Sequence, residues 1–214
     1  MIRFLTGTDT GVGKTVAAAA LARAEQHAGR RVAYLKAAQT GVGPDDAGDA
    51  GWVAEAAGVR AVEWVRLPEP LAPAVAAERA GVTLDVDALV AMARDEHARV
   101  DVLLVEGAGG LLVPLAGEVT MADLAARLDA EVIVVTRPGL GTLNHTALTL
   151  EAARARGLAV AGLVVSQWPA EPGVTERTNL ERLGRMAPVL GLVPEVPGLD
   201  AASPASLPVD LVAL

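Results

Sequence analysis

Apolar residues gather along this chain in two patterns. Short unbroken runs of β-branched and aliphatic side chains alternate with longer stretches whose apolar positions recur every three or four residues. Unbroken runs suit strands buried on both faces, as in a parallel sheet covered by helices. They predict strands at Ile2–Thr6, Val32–Lys36, Val102–Glu106, Val132–Thr136, Val160–Ser166 and Val189–Val193. The longer stretches predict helices at about Lys14–His27, Asp49–Ala57, Ala72–Arg79, Val86–His97, Met121–Leu128, Leu143–Arg156 and Thr175–Met186, many ended by Gly or Pro. That alternation predicts an α/β fold with a doubly wound, mostly parallel sheet. Gln39–Gly51, rich in Gly and Asp, and the Pro-containing Pro169–Gly173 and Pro197–Pro208 read as loops within one domain spanning 1–214.

Composition narrows the partners. At 52% hydrophobic, 214 residues suffice for one sizeable core, so a single domain is expected. Eighteen Lys and Arg against 26 Asp and Glu leave a formal charge of −8, which attracts neither nucleic acid nor an anionic membrane surface. The absence of cysteine excludes disulfides, thiolate metal sites and a cysteine nucleophile. The N-terminus turns polar after Leu5 and no apolar run reaches the ~20 residues of a membrane span, so a cytoplasmic protein is expected. Aromatics at 2% offer few platforms for stacking bases.

Open parallel sheets bind ligands beyond the carboxyl ends of their strands, and the chemically suggestive residues sit there. After the first strand, Gly7-Thr8-Asp9-Thr10-Gly11-Val12-Gly13-Lys14-Thr15 leads into an Ala-rich helix, the context of a phosphate-cradling loop. Small residues let backbone N–H groups face an anion, Lys14 brings a point charge to the terminal phosphates, and the Thr15 hydroxyl can ligate magnesium. A lysine at a helix N-terminus is electrostatically unfavourable unless an anion joins it, which favours phosphate over an ordinary turn. The spacing is unusual, with five residues between Gly7 and Gly13 where the common pattern has four.

Lys36 ends the second strand and Glu106 the third, followed by Gly107-Ala108-Gly109-Gly110. Glu106 fits the magnesium-holding acid of nucleotide hydrolases, and Lys36 a second ammonium aimed at a transferring phosphate or a carboxylate. Asp45, Asp46 and Asp49 precede a helix, and for Asp49 helix cap and metal ligand are both open. Gly139–Asn144 turns from a strand into another helix whose first N–H groups form an anion site, with Thr142 or Asn144 able to cap. His27, His97 and His145 lack metal-ligand spacing, and Trp52, Trp64 and Trp168 read as packing residues.

Together GTDTGVGKT, K-x-x-Q-T-G, VEGAGGLLVPL and LGTLNHTALTLEA, in this order, resemble dethiobiotin synthetases, and the similarity runs from about Ile2 to Pro194. The resemblance implies a nucleoside triphosphate hydrolase type of phosphate-loop fold and a cytoplasmic homodimer in biotin biosynthesis. The implied reaction joins diaminopelargonic acid and carbon dioxide, supplied as bicarbonate, into dethiobiotin with ATP and Mg2+. Thr10 and the Gly11, Val12 and Gly13 backbone would hold phosphate, while Lys14 and Lys36 would stabilise the carbamate and the phosphoryl group. Thr15, Asp49 and Glu106 would bind magnesium. Gly107, Ser166 and Pro194 would lie on the nucleotide, and Thr10, Lys36 and Thr40 beside the substrate. Thr142, Leu143 and Asn144 would meet the substrate carboxylate of the neighbouring subunit.

Two departures from the family pattern stand out: Ala37 follows the second-strand lysine where a proline is common, and Ser166 stands where an Asn often reads adenine. A serine hydroxyl lacks the two-point geometry of an amide, so other nucleoside triphosphates should be tolerated. Two other classes share the loop. Partitioning ATPase switches carry a further lysine in the loop, where this chain has Asp9, and often a basic terminal helix, whereas SLPVDLVAL contains no basic residue. Cobyrinate-type amidotransferases need a glutaminase domain and a cysteine.

Overall fold

The computed structural model describes residues 1–196 and Leu211. Each buried run of the sequence becomes a strand of one sheet: β1 (Ile2–Gly7), β2 (Val32–Lys36), β6 (Val102–Gly110), β9 (Glu131–Thr136), β10 (Val160–Trp168) and β11 (Val189–Pro194), joined at one edge by β4 (Arg60–Glu63). Their order is β11-β10-β9-β1-β6-β2-β4, and all neighbouring pairs run parallel. The helices are α1 (Lys14–His27), α2 (Gly48–Ala57), α3 (Pro73–Ala80), α4 (Val86–His97), α5 (Met121–Arg127), α6 (Thr142–Ala155) and α7 (Val174–Gly184). The predicted fold class therefore holds, and the six predicted strands and seven helices are present with ends shifted by a few residues. The loop expected at Pro197–Pro208 lies outside the described residues.

Successive strand residues point to opposite faces, so each buried strand feeds two cores. Phe4, Leu35, Leu103, Val105 and Val134 pack with Leu89 of α4 and Met121 and Leu124 of α5. Leu5, Tyr34, Leu104, Ile133 and Val135 pack on the other face against α1 and α2. The run Ala17–Ala20 of α1 is fully buried, and its small side chains let the helix lie close to the sheet.

Two features escape the hydrophobic pattern. Strand β4 pairs only with β2, and its Arg60-Ala61-Val62-Glu63 is half-exposed, so no unbroken apolar run marks it. The pairs β3 (Gln39–Thr40) with β5 (Arg66–Leu67), and β7 (Pro114–Ala116) with β8 (Val119–Thr120), are two or three residues long. Gln39–Gly51 is thus not wholly loop: it opens with β3 and ends inside α2.

From β1 the chain moves outward to β2 and β4, and after β6 it moves the other way through β9, β10 and β11. Strands β1 and β6 therefore flank the reversal, where the carboxyl ends open a crevice. Among the described residues no helix is long and apolar enough to cross a membrane.

Candidate active site

The loop between β1 and α1 is shaped by close approaches that only glycine allows. A Cβ added at Gly7 would lie 2.5 Å from the Asp9 carbonyl oxygen and 2.9 Å from Lys14 Nζ. Lys14 thus folds back over Gly7, donating to the Asp9 carbonyl at 3.2 Å, which explains a glycine one residue earlier than the common spacing. Gly13 is left-handed at φ 85°, and a Cβ there would meet Ser166 Oγ at 2.3 Å. Asp9, at the position where partitioning switches have lysine, accepts from the Thr10 N–H at 2.7 Å and pairs with Arg137 at 3.5 Å.

Parallel register places Lys36 of β2 directly beside Glu106 of β6. The Lys36 ammonium lies 2.5 Å from Asp49 Oδ2 and 2.6 Å from Glu106 Oε1. From the start of α1, the Thr15 hydroxyl lies 3.0 Å from Asp49 Oδ1 and 3.3 Å from Glu106 Oε1. The Tyr34 phenol donates to Glu106 Oε2 at 2.9 Å. Asp49 sits in the first turn of α2 and does not cap it: its own N–H donates to Gln39 Oε1 at 2.9 Å, leaving its carboxylate to Lys36 and Thr15. Asp46 accepts the Gly43 N–H in a local turn, and Asp45 is exposed.

These groups line a cleft of about 350 Å³ that brings together Thr10, Gly11, Gly13, Lys14, Thr15, Lys36, Thr40, Asp49 and Glu106. The other predicted residues stand outside it. Val12 is buried in the core beneath the loop. Gly107 faces inward, where a Cβ would meet Phe4 and Met121. Ser166 is 1% exposed behind Gly13, and Pro194 ends β11. The Thr142 hydroxyl is turned inward, 2.6 Å from Thr136 Oγ1, which also meets Thr146 at 3.0 Å and accepts from Thr8 at 3.5 Å. Gly141, left-handed, begins α6 without a side-chain cap, so neither Thr142 nor Asn144 caps it; Asn144 is exposed.

Three residues at the site receive no role from the sequence. Gln39 anchors α2 as described. Gln167 adopts φ 56° and donates through Nε2 to the Gly11 carbonyl at 2.9 Å, lining the cleft where Ser166 does not. Tyr34 stands two residues before Lys36, on the same strand face, a placement the two-residue period of β2 does reveal.

Burial and paired charges together set the electrostatics. Burial lowers the Lys14 ammonium below the ordinary lysine value, with Lys36 adding to the fall and Glu106, Asp49 and Asp9 opposing it. Burial also works against the Lys36 ammonium, but Glu106 and Asp49, through charge and hydrogen bonds, outweigh it and hold it above the ordinary value. The Tyr34 phenol, buried and facing Glu106 and Asp49, is held well above its usual range and remains a neutral donor. Lys36 is accordingly a counter-ion as well as a candidate catalytic charge.

Among the described residues no three His, Asp or Glu side chains gather into a metal cluster. Two carboxylates and the Thr15 hydroxyl beside a phosphate loop nevertheless fit Mg2+, which binds through one or two carboxylates and keeps waters and phosphate oxygens for its remaining positions. A larger groove of about 710 Å³, between α3 and the β7–β8 hairpin, is mostly apolar, with Glu78 and Glu118 as its charged lining.

Known proteins resemble the chain at two levels. Solved structures share its fold at low identity. Over 97% of this chain and 89% of its own, the cell division ATPase MinD of Pyrococcus furiosus matches with a TM-score of 0.55 and 20% identity. The signal recognition particle receptor FtsY of Elizabethkingia anophelis, in complex with GDP, gives 0.56 and 19% over 99% of this chain and 60% of its own. In sequence, residues 3–203 match a family model described as an AAA domain. Curated relatives called ATP-dependent dethiobiotin synthetase BioD are far nearer: 52% identical in Mycobacterium sp. (strain KMS), over 94% of this chain and 89% of the relative. The relative from Streptomyces coelicolor is 53% identical over 94% and 86%. With the phosphate loop, the paired lysines and the acids all in place along a chain this similar, the protein belongs to the dethiobiotin synthetase family.

Proposed function

We infer that the protein is an ATP-dependent dethiobiotin synthetase, a cyclo-ligase of biotin biosynthesis that closes a ring on diaminopelargonic acid with carbon dioxide. The observation that carries this reading is the meeting of Lys14 and Lys36 with Thr15, Asp49 and Glu106 in one cleft at the phosphate loop.

One amine of the diamine adds to carbon dioxide and loses a proton, giving a carbamate. A carbamate oxygen takes the γ-phosphoryl group of ATP, forming a carbamic-phosphoric anhydride and releasing ADP. The second amine attacks the carbamoyl carbon, the C–O bond to phosphate breaks, and the cyclic urea forms with loss of a proton. The carbamate, the triphosphate and the mixed anhydride are all anionic, so ammonium groups and backbone N–H donors aimed at them favour the path. The Gly11–Gly13 backbone cradles phosphate, Thr10 holds phosphate and substrate at the exposed rim, and Thr40 offers the diamine a hydroxyl. An arriving polyphosphate supplies the negative charge that buried Lys14 lacks and stabilises its ammonium. Lys36, held protonated by its two carboxylates, keeps positive charge beside the reacting oxygens. When bound, magnesium on Thr15, Asp49 and Glu106 screens the phosphate oxygens.

The finer reading is that one domain spanning 1–214 acts in the cytoplasm as a homodimer. Thr142, Leu143 and Asn144 lie outside the cleft of their own chain, which suits a role in the site of a second copy. Nucleoside triphosphates other than ATP are accepted, because Ser166 is buried behind Gly13 and offers the base no amide edge.

Purified protein incubated with diaminopelargonic acid, bicarbonate, Mg2+ and ATP, with CTP in a parallel tube, tests this by mass spectrometry. Dethiobiotin that requires every component is expected, with CTP supporting turnover too. A hundredfold preference for ATP would remove the relaxed base reading. No product from folded protein that binds nucleotide would overturn the ligase itself and favour a switch.

A further inference from the structure

The buried acid of this site is held from both sides. Glu106 Oε1 faces the cleft, where it meets Lys36 at 2.6 Å and the Thr15 hydroxyl at 3.3 Å. Its other oxygen, Oε2, accepts from the phenol of Tyr34 at 2.9 Å. Tyr34 is the one tyrosine in the chain, and it is fully buried in the core between the sheet and α1. Strand geometry explains the meeting: Tyr34 and Lys36 share a face of β2, and the register that sets Lys36 beside Glu106 sets Tyr34 beside Leu104. The phenol therefore approaches the carboxylate diagonally, from the core side, and leaves the cleft side clear.

We propose that Tyr34 is a positioning residue for the metal site, fixing the orientation of Glu106 so that Oε1 alone is presented to the cleft. A carboxylate on a strand end can rotate about its last bond, and each orientation offers a different oxygen and lone pair to a cation. A phenol on one oxygen selects one orientation and takes the entropy of that choice out of metal binding. Removing a hydrogen-bond partner of a metal ligand typically costs about 10- to 100-fold in metal affinity or activity. Lys36 cannot do the same work, since its ammonium lies on the cleft side and is shared with Asp49. The alternative is that Tyr34 merely fills the core and satisfies its hydroxyl on the nearest acceptor.

This inference rests on the proposal that Thr15, Asp49 and Glu106 hold a divalent cation with the nucleotide, and its test separates the two. Binding of Mn2+ in the presence of ATP, followed by electron paramagnetic resonance, is compared between the parent protein and Tyr34→Phe, which keeps the ring and removes only the hydroxyl. We expect Mn2+ affinity about tenfold weaker in Tyr34→Phe. Nucleotide binding without metal should be unchanged, and turnover of Tyr34→Phe should recover as Mg2+ is raised. A packing defect would be insensitive to Mg2+, so thermal melts without metal accompany the titration and reveal any loss of folding. Equal Mn2+ affinities in the two proteins, or a turnover defect that excess Mg2+ does not restore, would overturn the role of Tyr34 alone. Failure of the parent protein to bind Mn2+ with ATP would overturn the metal site and the positioning role with it.

Discussion

Buried acids stand at both ends of the sheet, and they are neutralised in different ways. At the amino end Glu96 is gripped by Arg60 through two hydrogen bonds of 2.7 and 2.8 Å and touched by Arg99 at 3.5 Å. Glu25 is held there between Arg3 and Arg30. At the carboxyl end Glu106 and Asp49 share the ammonium of Lys36, beside an open cleft. An arginine fork matches a carboxylate in a fixed plane, whereas a lysine is a compact charge on a flexible stem that can change partners. The same sign of pairing thus serves anchorage at one end and chemistry at the other, and the choice of cation separates the two.

Removing Lys36 should break that contrast most sharply. Lys36→Ala is expected to lower turnover by about 10²–10³-fold or more, measured as dethiobiotin formed per minute. Because the ammonium is also the counter-ion of two carboxylates, the variant should melt lower than the parent protein when Mg2+ is absent. Unchanged turnover would remove Lys36 from the chemistry.

A change at the start of α6 asks whether the functional end belongs to one chain or two. Asn144→Ala should raise the apparent KM for the diamine about tenfold while leaving kcat within a few-fold, because a binding contact is lost. At diamine well below the raised KM, mixing Lys36→Ala with Asn144→Ala chains should give more activity than the two alone, since mixed dimers hold one site with both residues intact. No recovery in a mixture shown to exchange subunits would confine the site to a single chain.

At the amino end the expected effect is on stability alone. Arg60→Ala should lower Tm measurably with kcat unchanged, because Glu96 loses its main partner. The hydrogen bond from Arg60 holds the Glu96 carboxyl below its ordinary value. A group with a lowered folded-state pKa contributes its stability above the unfolded-state value and loses it as pH falls through the folded-state value. The Tm difference between parent and variant should accordingly be full at neutral pH and shrink below the ordinary glutamate range. A constant difference down to low pH would show that packing of the arginine stem, not its charge, is responsible.

Much of this contrast is legible in the sequence, and the missing parts share a cause. Parallel strands buried on both faces write themselves as unbroken apolar runs, and their carboxyl ends then locate Lys36 and Glu106 without coordinates. Strand β4 is invisible because it lies at an edge, where Arg60 is exposed and Ala61, Val62 and Glu63 are only partly buried. The grip of Arg60 on Glu96 joins residues 36 positions apart through tertiary packing, which no local pattern encodes. Within the site, glycines and charged residues declare themselves by chemical type. Gln39 and Gln167 act through amides at positions set by the fold, and the hydroxyls of Thr8, Thr136, Thr142 and Thr146 meet only once α6 has packed on β9.

Gln167 carries a cost of its own. Its left-handed backbone, φ 56°, is one that a glutamine adopts at an expense of about 1–3 kcal/mol, and its amide is spent on the Gly11 carbonyl. Gln167→Gly would relieve the backbone but also remove the amide that ties the Gly11 carbonyl, so nucleotide affinity, measured by calorimetry, should fall with little net change in Tm. At this one residue a strained backbone is what sets an amide against the phosphate loop.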